Sequence, residues 1–143
     1  MKTFSQLVAE SRKHVKELMP WDLHDLMESE TEVLLLDIRE FDEYCSAKIN
    51  PSIHIPRGVL ETACETGFKE SNERLINARN AKLIVICRSG NRSLLAASTL
   101  QTLGYNDVYS LQTGLRGWND YELPLYNNAD QEIDTDSAEI LLF

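Results

Sequence analysis

Five short stretches of the chain carry the pattern of buried strands, and helical patterns separate them. The strand-like stretches are 15–18, 33–36, 53–55, 83–86 and 108–111. The fourth, Leu-Ile-Val-Ile, is a continuous apolar run of the kind that both faces of a sheet bury. Phe4, Leu7, Val8 and Ser11 mark one face of a helix before the first strand. Pro20 fits the first turn of a second helix, with Trp21, Leu23, Leu26 and Met27 as its apolar face. Residues 40–46 read as a short helix turning Phe41 and Tyr44 inward, 59–61 as a single turn, and 73–80 as another short helix. The longest helical pattern runs through Leu94, Ala96, Ala97, Leu100 and Leu103, and Gly104 stands at the C-cap position. A last helix is expected from 113 through 119, stopped by Leu123 and Pro124. Strands alternating with helices imply an α/β fold, a mostly parallel sheet covered on both faces.

The pattern divides the chain into an N-terminal helical arm at 1–14, a domain at 15–125 and an acidic C-terminal tail at 126–143. Residues 127–137 hold few apolar positions and are expected to be mobile or loosely attached. Ile140, Leu141, Leu142 and Phe143 are unusual for such a tail and are expected to dock on the domain or on a partner subunit. The length of 143 residues and a hydrophobic content of 43% fit one domain with a sizeable core. A net charge of -9 argues against nucleic acid or an anionic membrane as partner, and makes any local basic patch conspicuous. Cysteines at 45, 64 and 87 have neither metal-ligand spacing nor a disulfide framework, so no metal or other cofactor is expected. The N-terminus lacks the apolar region of a signal peptide and no run reaches membrane-spanning length, so a cytoplasmic location is expected, the natural compartment for a reactive thiol.

The chemistry concentrates in C-R-S-G-N-R-S at 87–93, between the fourth strand and the longest helix. A loop curling into a helix N-terminus points backbone N–H groups at one spot, and the helix dipole adds positive potential there. Arg88 and Arg92 add charge, while Ser89, Gly90, Asn91 and Ser93 complete the loop. Cys87 at its rim is expected to exist largely as thiolate. The same cradle would hold an oxyanion or a second sulfur on Cys87. The plainer alternative is an inert cysteine closing a strand; the two arginines, Gly90 and the immediate helix start weigh against it. No Gly-x-x-x-x-Gly-Lys-Ser/Thr pattern supports a nucleotide P-loop. Asp37 and Arg39 follow the second strand, at the edge where α/β folds place ligand crevices. Arg39 reads as part of an ion pair holding that loop. Arg57 and Arg116 are candidates for the pocket rim, each with a solvated charge as its alternative. Cys64 is a candidate resolving thiol for Cys87, although sequence separation neither supports nor excludes their contact.

L-L-L-D-I-R-E at 34–40, F-D-E-Y at 41–44, I-H-I-P at 53–56, C-R-S-G-N-R-S at 87–93 and T-G-L-R-G-W at 113–118 follow in one order and spacing. Together they resemble a single-domain rhodanese-like protein of the thiosulfate sulfurtransferase family over about residues 15–125. That resemblance implies a three-layer domain with a central, mostly parallel five-stranded sheet flanked by helices. It implies that Cys87 attacks the outer sulfur of a small anionic donor such as thiosulfate, releases sulfite and carries a persulfide to a thiol or cyanide-like acceptor. Loop amides from 88 to 93 would stabilise the persulfide, and Arg88 and Arg92 would orient the donor. Ser93 would cap the following helix and bond toward the sulfur, with Asp37 and Arg39 supporting the fold around the site. The family's usual Gly-His-Ile-Pro-Gly-Ala turn is replaced here by Ala47-Lys48-Ile49-Asn50-Pro51-Ser52. A protein sulfur carrier is a further candidate partner, and the acidic surface favours a basic one. The oligomeric state is open. Two other readings stand beside this one. A non-catalytic binding or sulfur-relay module would use the acidic tail with its apolar end. A phosphatase or arsenate reductase would use a Cys-x5-Arg loop, whereas four residues separate Cys87 from Arg92 and no leaving-group acid presents itself.

Overall fold

The computed structural model describes residues 1–29 and 31–143. Strand β4 (Lys82–Ile86) lies at the centre of the sheet. Successive strand residues face opposite sides, so Leu83 and Val85 enter one core layer while Ile84 and Ile86 enter the other. All four are fully buried, the physical reason for the unbroken apolar run. Around β4 stand β1 (Lys16–Leu18), β2 (Leu34–Asp37), β3 (Ile53–His54) and β5 (Asp107–Leu111). The order is β1-β5-β4-β2-β3, and every pairing is parallel. The five-stranded sheet expected from the sequence is therefore present, and it is parallel throughout.

Helices cover both faces. On one side α1 (Phe4–Arg12), α4 (Leu60–Ala63), α5 (Glu73–Ile76) and α6 (Asn91–Thr102) deliver Val8, Leu60, Leu75, Leu94 and Leu100 to the layer containing Leu83 and Val85. On the other, α2 (Pro20–Glu28) and α7 (Gly114–Asp120) deliver Leu23, Leu115 and Trp118 to the layer containing Ile84 and Ile86. The short helix α3 (Phe41–Ser46) follows β2. At the chain start, the Nε2 atom of His14 lies 2.8 Å from the Ser98 hydroxyl, and Gln101 donates to the His14 carbonyl, which fastens the end of α1 to α6.

The C-terminal segment differs from its sequence expectation. Residues 127–137 include strand β7 (Glu132–Ile133), paired antiparallel with β6 (Leu125–Tyr126), and the start of helix α8 (Thr135–Leu141). Asp134 caps that helix through the Ser137 N–H, and Asn119 donates to the Thr135 carbonyl. Ala138 and Leu142, four residues apart on one helix face, are buried in the Trp118 layer. Mean composition hid this because three well-placed residues, Ile133, Ala138 and Leu142, supply the apolar contact. Of the final four side chains only Leu142 is buried; Ile140 and Phe143 are 79% and 91% exposed. Truncation after Asn127 is accordingly expected to destabilise the domain. Losing one buried leucine and its neighbours costs about 2–4 kcal/mol, which at this chain length lowers the thermal midpoint by roughly 5–15 °C. A calorimetric midpoint unchanged by the truncation would show that α8 adds nothing to the core.

Candidate active site

β2 and β4 end level with each other. Asp37 pairs with Ile86 in register, and the Ile38 N–H donates to the Ile86 carbonyl at 3.0 Å. Cys87 follows directly, and its loop turns into α6 at Asn91. Two glycines allow the turn. Gly90 has φ +91°, and a Cβ there would lie 2.9 Å from the Thr113 nitrogen. A Cβ at Gly114 would lie 2.5 Å from the Arg88 carbonyl group and 2.6 Å from the Cys87 carbonyl oxygen. The close approach lets the N-terminus of α7 clamp the loop: Leu115 N–H donates to the Cys87 carbonyl and Arg116 N–H to the Arg88 carbonyl, both at 3.0 Å.

The Cys87 sulfur sits at the floor of the loop with no solvent exposure. It accepts N–H bonds from Gly90 at 3.1 Å and Ser93 at 3.3 Å. The Ser93 hydroxyl lies 3.3 Å from the sulfur and 2.7 Å from the hydroxyl of Ser110, and both serines are fully buried. Donors aimed at one buried sulfur favour negative charge on it. Ser93 is not the helix cap that the resemblance implied. Gly90 occupies the cap position without a side-chain bond, and Ser93 turns its hydroxyl to the sulfur from the first turn of α6.

The two loop arginines have different surroundings. Arg92, expected to orient a donor, places both terminal guanidinium nitrogens on the Glu43 carboxylate at 2.9 Å each. The Arg92 hydrogen bonds hold the Glu43 carboxyl below its usual range against the opposing effect of burial, and Glu43 in turn holds Arg92 firmly charged. Arg88 is exposed, and its guanidinium has no hydrogen-bond or ion-pair partner among the described residues. Ser89 and Asn91 are half-buried in the loop.

A buried ion pair supports this edge. Arg39 Nε and Nη2 grip the two Asp37 carboxylate oxygens at 2.9 and 2.8 Å, with both side chains 1% exposed. The same guanidinium donates to the carbonyls of Glu43 at 3.2 Å and Ala47 at 2.6 Å. His54 Nε2 lies 2.7 Å from the Arg39 carbonyl and its ring stacks on Tyr44 at 4.4 Å. Asp37, Arg39, Glu43 and Arg92 thus form one connected network from β2 through α3 to α6. The guanidinium groups of Arg57 and Arg116 are bound to partners outside the Cys87 loop. Arg57 is engaged by Glu61 and the Thr99 hydroxyl at 3.1 Å each. The Arg116 guanidinium binds the carbonyls of Leu142 and Phe143, leaving only its backbone N–H on the Cys87 loop.

Cys64 is buried in the α6-side core beside Tyr105, and burial pushes its thiol up, the opposite of what a resolving nucleophile needs. Cys45 is half-buried on α3. Among the described residues no group of three or more His, Cys, Asp or Glu could hold a metal ion. Sequence reasoning missed Ser110 and Glu43. A serine inside the otherwise apolar end of β5 was a visible signal, since a buried hydroxyl needs a partner. Glu43 stood in the F-D-E-Y stretch without an assigned role.

The Glu43–Arg92 pair predicts a pH dependence. Because the folded-state pKa of Glu43 lies below its unfolded value, the pair's stabilisation is present above the ordinary carboxylate range. It is lost as pH falls through the lowered folded value. Glu43→Gln is expected to lower the thermal midpoint at neutral pH, with the two melting curves converging in strong acid. A midpoint difference independent of pH would contradict this role.

The family model described as the rhodanese-like domain matches residues 19–121. A Bacillus subtilis protein named "Putative sulfur carrier protein YrkF" is 36% identical over 92 residues, 64% of this chain and 44% of that protein. The chain thus spans less than half the length of that relative. A solved Rhodopseudomonas palustris structure, described as a protein of unknown function and possible tyrosine phosphatase, aligns with TM-score 0.79 and 26% identity over 87% of this chain and 94% of that one. The thiosulfate sulfurtransferase structure from Pseudomonas aeruginosa aligns with TM-score 0.69 and 25% identity, covering 94% of this chain and 25% of that one. With the family match running from α2 to the end of α7 and including the Cys87 loop, this chain belongs to the rhodanese-like domain family.

Proposed function

We propose that the protein is a sulfurtransferase that carries sulfane sulfur as a persulfide on Cys87. The observation that carries this reading is the buried Cys87 sulfur facing the N–H groups of Gly90 and Ser93. The Cys87 thiolate attacks the outer sulfur of thiosulfate or a similar donor. The new S–S bond forms as the donor's S–S bond breaks, and the electron pair leaves with sulfite. A thiophilic acceptor, a thiol or cyanide, then takes the outer sulfur, and the electron pair of the persulfide bond returns to Cys87. Arg88, whose guanidinium has no partner among the described residues, attracts the anionic donor, while Arg92 holds the loop to α3 through Glu43. Asp37 and Arg39 keep that edge in place.

The sulfur carrier and sulfurtransferase names among the relatives support a protein sulfur carrier as donor or acceptor. Three free cysteines fit a reducing compartment such as the cytoplasm. The description of the Rhodopseudomonas relative raises a phosphatase reading. Against it, Arg92 is committed to Glu43, and the carboxylates of Asp37 and Glu43 are each ion-paired, so neither offers a proton to a departing alkoxide. Sulfite needs no such acid. Assaying thiosulfate with cyanide beside a small aryl phosphate tests the choice. Thiocyanate formation without phosphate release is expected; efficient phosphate release without thiocyanate would overturn the reading.

A further inference from the structure

Ser110 occupies a fully buried position on β5, where an apolar side chain would carry no hydrogen-bonding demand. Its hydroxyl has one hydrogen-bond partner among the described residues, the Ser93 hydroxyl at 2.7 Å. Ser93 in turn lies 3.3 Å from the Cys87 sulfur. All three side chains are sealed from solvent. Each hydroxyl has a single proton to place. When the sulfur carries negative charge it can only accept, so the Ser93 proton points to it. The Ser93 oxygen then accepts the Ser110 proton, and the chain runs Ser110 to Ser93 to sulfur. When the sulfur is neutral, the Ser93 proton is free to turn toward Ser110. The direction of the chain is therefore coupled to the charge on the sulfur.

We propose that Ser110 is a positioning residue that acts through Ser93 to stabilise the negative charge returning to the Cys87 sulfur when the persulfide is discharged. This rests on the persulfide reading above. In discharge the acceptor's lone pair bonds to the outer sulfur, the S–S bond breaks, and its electron pair returns to the Cys87 sulfur. The outer sulfur leaves with the acceptor, and any proton it carried passes to solvent. Donors aimed where charge develops lower the barrier of such a step. In loading, charge leaves the same sulfur, so the chain gives that step no such help. Ser110 thereby favours delivery of sulfur over its capture.

Single-turnover measurements separate the two steps. The protein is loaded with thiosulfate, freed of excess donor and discharged with cyanide, with the persulfide followed by intact-protein mass. Ser110→Ala is expected to slow discharge about three- to tenfold, the effect of one lost hydrogen bond, and to change loading less. Ser110→Thr, which keeps the hydroxyl, is expected to restore the rate. In a Ser93→Ala background, Ser110→Ala is expected to have no further effect on discharge. This cycle stands even where the bulkier threonine disturbs folding. Discharge at the unmodified rate, equal slowing of both steps, or additive effects of the two alanine changes would each overturn the proposal. Failure of the unmodified protein to form any persulfide would refute the persulfide reading, and the role of Ser110 with it.

Discussion

Cys87→Ala and Cys87→Ser are expected to abolish sulfur transfer from thiosulfate to cyanide, whereas Cys45→Ala and Cys64→Ala retain it. Cys87 alone among the three cysteines has its sulfur facing two backbone N–H groups at the end of the central strand. Cys64 lies in the core with its thiol pushed up by burial, so it is a poor source of thiolate. Removing a nucleophile that must carry the transferred atom leaves no alternative route, and a fall on the order of 10³-fold or more is expected. Cys87→Ser is the stricter variant because it keeps a small polar group in the same cradle. A Cys87→Ser protein that turned over normally, or loss of activity in Cys64→Ala with its fold intact, would contradict the assignment.

The second large effect is on stability. Arg39→Met would leave the Asp37 carboxylate buried without its partner and release the carbonyls of Glu43 and Ala47. Breaking a buried pair from one side costs about 3–5 kcal/mol, which in a chain of this size lowers the thermal midpoint by roughly 8–20 °C. Replacing both members with Asp37→Leu and Arg39→Met removes the orphaned charge and is expected to recover part of the loss. The double variant should still transfer sulfur poorly, because α3 loses the anchor that holds Glu43 against Arg92. An Arg39→Met midpoint within two or three degrees of the unmodified protein would show that the pair is not a support of this edge.

The parallel sheet and the tight turn from β4 into α6 were legible in the sequence because their signals are local. An unbroken apolar run marks a strand buried on both faces, and a glycine-containing turn into a helix marks converging amides. An ion pair at Arg39 was legible too, but its partner was not named: it is Asp37, the last residue of β2. What sequence reasoning missed depends on long-range partners. Arg92 reads as a free cation until Glu43, distant in sequence, takes both its terminal nitrogens. Arg116 reads as a rim residue or a solvated charge until α8 folds back and presents its last carbonyls. The same fold-back explains the misjudged tail, where Ala138 and Leu142 find Trp118 only in three dimensions. Ser110 belongs with these, since its hydroxyl acquires a purpose only when β5 lies beside β4 and Ser93.

The central claim, that Cys87 carries the transferred sulfur, is tested most directly by locating that sulfur. The unmodified protein is incubated with thiosulfate, trapped with an alkylating reagent and digested, and its cysteine peptides are examined by mass spectrometry. The account predicts one added sulfur atom on the peptide containing Cys87, absent from those containing Cys45 and Cys64, and removed by cyanide. Added sulfur on Cys64 or Cys45 with Cys87 unmodified, or turnover with no sulfur on any cysteine, would contradict it.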